Sequence, residues 1–197
     1  MSCLATPPRL TVLLLPGWRG SGPTHWQTRW LAQYPGSLRV DQRDWDNPRR
    51  DDWVKQIDHA VSRSEHPVFF VAHSLGCIAM AHWANVTTDF STVAGALLVS
   101  PPWFSTPAAA PSPLRDFFPA PLTRLPFAST IVASENDPYI SYPTAVRVAR
   151  AWGSELVSAG KAGHINVDSG HGDWPEGERL LGELLAANAA DAALISA

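Results

Sequence analysis

Apolar residues along the chain fall into short runs, each closed by a polar, proline- or glycine-bearing stretch. Residues 10–15 (Leu-Thr-Val-Leu-Leu-Leu), 68–71 (Val-Phe-Phe-Val), 93–100 and 128–134 are too short for helices and rich in aliphatic, β-branched or aromatic side chains. They predict buried strands, apolar on both faces as in a parallel sheet covered by helices. Residues 38–41 predict a weaker strand and 155–158 a short last one. Between them the period changes to that of helices. Thr24 and Gln27 match a capping box ahead of a helix running to about Tyr34. Trp53, Val54, Ile57 and Val61 form the stripe of a helix starting near Arg50, and helices are also predicted from 75 to about 85 and from 143 to 152. Pro175 and Glu176 open a last helix with a stripe at Leu180, Leu181, Leu184 and Leu185.

Strand and helix thus alternate, which predicts an α/β fold: a mostly parallel sheet of about six strands flanked by helices. No internal repeat interrupts the alternation. The segment 101–127 does, because prolines at 107, 111, 113, 119, 121 and 126 forbid a long helix there. A loop with a short helical turn, lying over the functional site and too small for a separate lid domain, is expected. Residues 1–8 read as a tail, and 197 residues suit one domain spanning 1–197.

Composition removes several classes of function. The net charge is only -3, and the basic pair Arg49-Arg50 is followed at once by Asp51-Asp52, so no basic face awaits a nucleic acid. Only Cys3 and Cys77 are present, which fits a reducing compartment better than a disulfide. The first apolar run is too short for a secretory signal, and no stretch has membrane-spanning length, so a cytoplasmic location is expected.

The stretch 68–80 carries the chemistry. Its strand stops at Ala72-His73-Ser74-Leu75-Gly76 and a helix begins immediately, a sharp strand-turn-helix with a serine at the bend. This is the G-x-S-x-G elbow with alanine in the first glycine position, where small bulk is what the turn requires. Ser74 is either a nucleophile or a helix cap. As a nucleophile, it would face an oxyanion site made by the N–H of Leu75 and a second N–H from the glycine-bearing loop after the first strand, for which Trp18 is the candidate.

In a parallel sheet, residues just after the strands share one rim. Asp137 follows a strand in Ser-Glu-Asn-Asp-Pro and His164 follows the last strand in Ala-Gly-His. Serine needs a base and the imidazole needs an acceptor that fixes its tautomer, and the chain order Ser, Asp, His is that of the α/β-hydrolases. Each member has a rival: Glu135 for the acid, His171 for the base, and a turn role for Asp137. His73, Asp168 and Asp173 are read as structural, Asp173 with Glu176 matching a D-x-x-E cap. His25 either lines the site or only caps its helix. Trp103, Phe104 and Tyr139 are expected to add an aromatic wall. No tight pair of ligands suggests a metal, and no cofactor motif is present.

PGWRGSGPTHW, AHSLG, SENDPY and AGHINVDSGHGDWPEG together resemble the small YdeN-type serine hydrolases, relatives of human retinoblastoma-binding protein nine, over about 10–185. The resemblance implies a compact α/β-hydrolase without a large cap, with Ser74, Asp137 and His164 catalytic. A small-molecule acyl ester, amide or thioester is the expected substrate. Some members have been described through a binding partner, so a protein-interaction module on a hydrolase scaffold is the alternative.

Overall fold

A computed structural model of the protein describes residues 10–195, with side-chain surroundings up to residue 190. The tail read at 1–8, with Cys3, lies outside the described residues. The elements are β1 (Thr11–Leu15), α1 (Trp26–Gln33), β2 (Leu38–Arg39), α2 (Arg50–Ser62), β3 (Val68–His73), α3 (Leu75–Val86), β4 (Val93–Val99), β5 (Ser129–Ala133), α4 (Tyr142–Trp152), β6 (Glu155–Ser158) and α5 (Pro175–Ile195). The strands form one six-stranded sheet in the order β2-β1-β3-β4-β5-β6, every pair parallel. This is the parallel, helix-flanked sheet that the alternation of runs predicts, in the compact form that the resemblance implies.

The period-two alternation of each strand divides the interior in two. Leu13, Leu15, Phe70, Ala72, Ala96 and Leu98 face one layer, built from Trp53 and Ile57 of α2, most of α3, and Ala145, Val148 and Trp152 of α4. Val12, Leu14, Phe69, Val71, Leu97 and Val99 face the other, where Trp26 and Trp30 of α1 meet Trp174 and Leu181. Because both faces are covered, β1 and β3 are buried along their whole length. At the edge, β2 shrinks to two exposed residues, although Val40 N–H still reaches Leu14 O at 2.9 Å. Among the described residues no helix is long and apolar enough to cross a membrane.

Two local expectations need correction. The cap of α1 is His25, whose Nδ1 accepts from Gln27 N–H, in place of Thr24. Gln27 does not reach back to the cap, because its amide is buried and must satisfy its donors and acceptor locally. Its Nε2 donates to Leu15 O and Val71 O on neighbouring strands, and its Oε1 accepts from Ser21 Oγ at 2.6 Å. Asp173, read as a cap for the last helix, instead pairs with Arg29.

The segment 101–127 holds two short 3-10 turns, Pro107–Ala109 and Ser112–Phe117. It does more than lie over the strand ends. Leu114, Phe117 and Phe118 join the core, with the Phe117 ring edge-on to Trp53 at 5.6 Å and its carbonyl accepting from His82 Nε2 at 2.8 Å. Leu122 stays exposed.

Candidate active site

β3 delivers the chain to Ser74, which adopts φ 52° and ψ −126° before α3 begins at Leu75. A positive φ costs a side-chain-bearing residue energy, and is kept where surroundings over-determine it. Two close approaches do so here. A Cβ on Gly17 would stand 2.8 Å from Ser74 Cβ and 3.2 Å from its Oγ. A Cβ on Gly76 would stand 2.8 Å from Pro16 O and closer still to Leu15 O, so α3 packs directly on the end of β1. Both approaches require glycine.

Three side chains from three strand ends converge on this elbow. Ser74 Oγ lies 2.9 Å from His164 Nε2, and His164 Nδ1 lies 2.9 and 3.0 Å from the two oxygens of Asp137. A carboxylate only accepts, so Nδ1 carries the proton and Nε2 is free to accept from the serine hydroxyl. The Asp137 side chain is fully buried and its Oδ1 also accepts from Tyr139 N–H at 2.9 Å. Glu135 is exposed and accepts from Ser158 Oγ, while His171 Nδ1 meets Ser169 Oγ; neither enters the relay.

Cross-links hold the loops in place. Ser134 Oγ accepts from Ala162 N–H at 2.9 Å, and Asn136 Oδ1 accepts from Gly163 N–H at 2.8 Å, joining the acid's loop to the histidine's. His73 Nε2–H donates to His164 O at 3.0 Å, and Trp26 Nε1–H to Ile165 O at 2.9 Å. Burial, reinforced by His164 and His25 nearby, holds the His73 pKa well below its usual value. It therefore stays neutral. His25 is pulled to about 4 by burial and by His164. Its ring stands 5.0 Å from that of His73, which stands 5.1 Å from that of His164.

Ser74 and His164 open onto a cleft of about 320 Å³, with Asp137 buried behind the histidine. Trp18, His25, Phe104 and Tyr139 line it, with the Tyr139 ring edge-on to His164 at 4.6 Å. Trp103 is not among the lining residues; it packs against the core and its N–H holds Tyr139 O at 3.0 Å. Pro102, Pro111 and Leu114, from the proline-rich segment expected over the site, also line the cleft, and Arg19, Asn166, Val167 and Asp168 join the wall although the sequence reading gave them no place there. Arg19 adjoins Trp18 and Asn166 lies two residues after His164, and that proximity was the available signal; Asp168, read as structural, stands on the wall as well. The backbone N–H groups of Leu75 and Trp18 donate to no group among the described residues, while the Trp18 indole N–H donates to Asp46 O at 2.9 Å. Also among the described residues, no cluster of three or more His, Cys, Asp or Glu is placed to hold a metal. Cys77 is buried, which pushes its thiol pKa up and makes it a poor nucleophile.

A family model described as serine hydrolase matches residues 12–183. The chain belongs to the serine hydrolase family. A protein described as a YdeN-like hydrolase, from Pectobacterium atrosepticum, is 34% identical, with 91% of this chain and 92% of that one covered and a TM-score of 0.81. The ydeN product of Bacillus subtilis is 21% identical over 89% of this chain and 98% of that one, with a TM-score of 0.73. A monoacylglycerol lipase from Paleococcus ferrophilus shares the fold at 12% identity, 90% and 94% coverage and a TM-score of 0.66. No curated protein matches the chain. Membership of the family makes the protein a hydrolase, built on the α/β-hydrolase-like fold that it shares with these structures.

Proposed function

We propose that the protein is a metal-independent serine esterase acting on small to medium acyl esters, with amides or thioesters as related substrates. The observation that carries the reading is the unbroken hydrogen-bonded relay from Asp137 through His164 to Ser74 Oγ. Ser74 Oγ attacks the acyl carbon while His164 Nε2 takes its proton. Asp137 holds the imidazole in the right tautomer and offsets the charge of the imidazolium. The oxyanion of the tetrahedral intermediate accepts from Leu75 N–H and Trp18 N–H. His164 then gives its proton to the leaving oxygen and the alcohol departs. Water, deprotonated by His164, releases the acid and restores Ser74.

The size of the cleft supports a compact acyl group, since it lies at the small end of ligand pockets, about 300–1,000 Å³. Its polar rim at Arg19, Asn166 and Asp168 suits a water-soluble small molecule better than a long lipid. Turnover of p-nitrophenyl esters of graded chain length tests the assignment. Ser74→Ala should lower it by at least ~10³-fold without loss of fold by circular dichroism. Wild-type turnover in that variant would end the proposal.

A further inference from the structure

One polar group on the cleft wall has no role in the relay. His25 Nδ1 is committed as the acceptor that caps α1, receiving Gln27 N–H at 3.2 Å. A neutral ring with an accepting Nδ1 must carry its proton on Nε2. That Nε2–H has no hydrogen-bond partner among the described residues, and it is not one of the enclosed atoms left unsatisfied, which are Gln42 Oε1 and Ser100 Oγ. A histidine that is only 6% exposed, lines the cleft and has an unpartnered yet open Nε2–H presents that donor to whatever occupies the cleft.

Its placement fits a catalytic donor. His25 stands at the end of the loop that brings Gly17 against Ser74 and Trp18 to the cleft wall, and its N–H closes that loop on Gly22 O at 3.0 Å. Its ring packs on His73, the residue before the nucleophile. The ring also has a fixed protonation state, because burial and His164 hold it neutral down to about pH 4. It can donate a hydrogen bond throughout the working range but has no second proton to give.

We propose that His25 is a catalytic residue whose Nε2–H donates to the acyl oxygen of the bound ester, as a third donor beside the N–H groups of Leu75 and Trp18. This rests on the esterase reading above. It gives the histidine at the helix start two separable duties, a cap through Nδ1 and a substrate contact through Nε2.

Two substitutions separate those duties. In His25→Asn the side-chain oxygen falls near Nδ1 and keeps the cap, for which asparagine is well suited, but the distal donor is gone. In His25→Gln the amide reaches the Nε2 position and can donate, while the cap is weakened. With p-nitrophenyl butyrate, whose acyl group has one oxygen, His25→Asn should lose at least ~10-fold in kcat/KM while melting above His25→Gln. His25→Gln should be the more active of the two despite being the less stable. Activity that falls in step with melting temperature across the pair, or an undiminished His25→Asn, would overturn the inference. The esterase reading fails separately, through Ser74-independent turnover.

Discussion

Replacing Gly76 with alanine adds one methyl group to the second residue of α3, and two effects of opposite sign follow. Alanine is a better helix former than glycine by about 1 kcal/mol, which favours the variant. Against this, the new Cβ would lie 2.8 Å from Pro16 O and nearer still to Leu15 O, where ordinary contact begins at 3.4 Å. Both obstacles are backbone atoms at the end of a buried strand, so neither can rotate away. The helix must move off the sheet. Overpacking of this kind costs about 1–3 kcal/mol and here affects a site already strained at Ser74. The net loss should be on the order of 1–2 kcal/mol, or ~2–8 °C in Tm for a chain of this length. Activity should suffer more, because α3 begins with Leu75, whose N–H is the proposed oxyanion donor, and is joined directly to Ser74. A displacement approaching 1 Å costs on the order of 10²-fold in rate. Calorimetry and p-nitrophenyl butyrate kinetics read the two effects, with Gly182→Ala as the control. Gly182 also lies in a helix, but nothing stands within 4 Å of its added Cβ, so alanine there should raise Tm slightly. A Gly76→Ala protein that melts at or above wild type with full kcat would refute the close packing of the elbow on β1.

Acid should weaken the fold through its buried histidines. His25 folded binds its proton only near pH 4, whereas unfolded it does so below about 6.5. The unfolded state thus holds more protons in this window, and stability falls as pH drops from about 6.5 to 4, by about 3 kcal/mol from this group, with His73 acting in the same direction. Urea midpoints should therefore fall more steeply on acidification for wild type than for His25→Asn; parallel curves would contradict this. Trp26→Phe leaves the Ile165 carbonyl without its donor and should cost about 1–3 kcal/mol with a lowered kcat, read by urea titration and turnover. Asn136→Ala removes the acceptor of Gly163 N–H and should reduce kcat about tenfold while changing Tm little, since the residue is exposed.

What the sequence revealed divides by how local the cause is. The buried strands β1, β3, β4 and β5 were legible because side chains covered on both faces leave an apolar run that needs no partner to interpret. The rim was legible for the same reason: once the strand ends were placed, Ser74, Asp137 and His164 had to share it. Gln27 was misread because a residue three after a threonine suits a capping box, and only the assembled sheet offers it the carbonyls of Leu15 and Val71. The proline-rich segment hid its role because Leu114, Phe117 and Phe118 show no helical or strand period; their burial is set by α2 and α3, far away in the chain. Asp168 reads as an ordinary turn acid, and its place on the cleft wall depends on how the histidine's loop folds back.

Hydrolysis by this protein depends on Ser74 being activated by its neighbours. A fluorophosphonate probe followed by peptide mass mapping tests this most directly. The prediction is one adduct per chain, on Ser74, formed orders of magnitude more slowly in His164→Ala. A folded protein that takes no label, or takes it on another residue, would contradict the assignment.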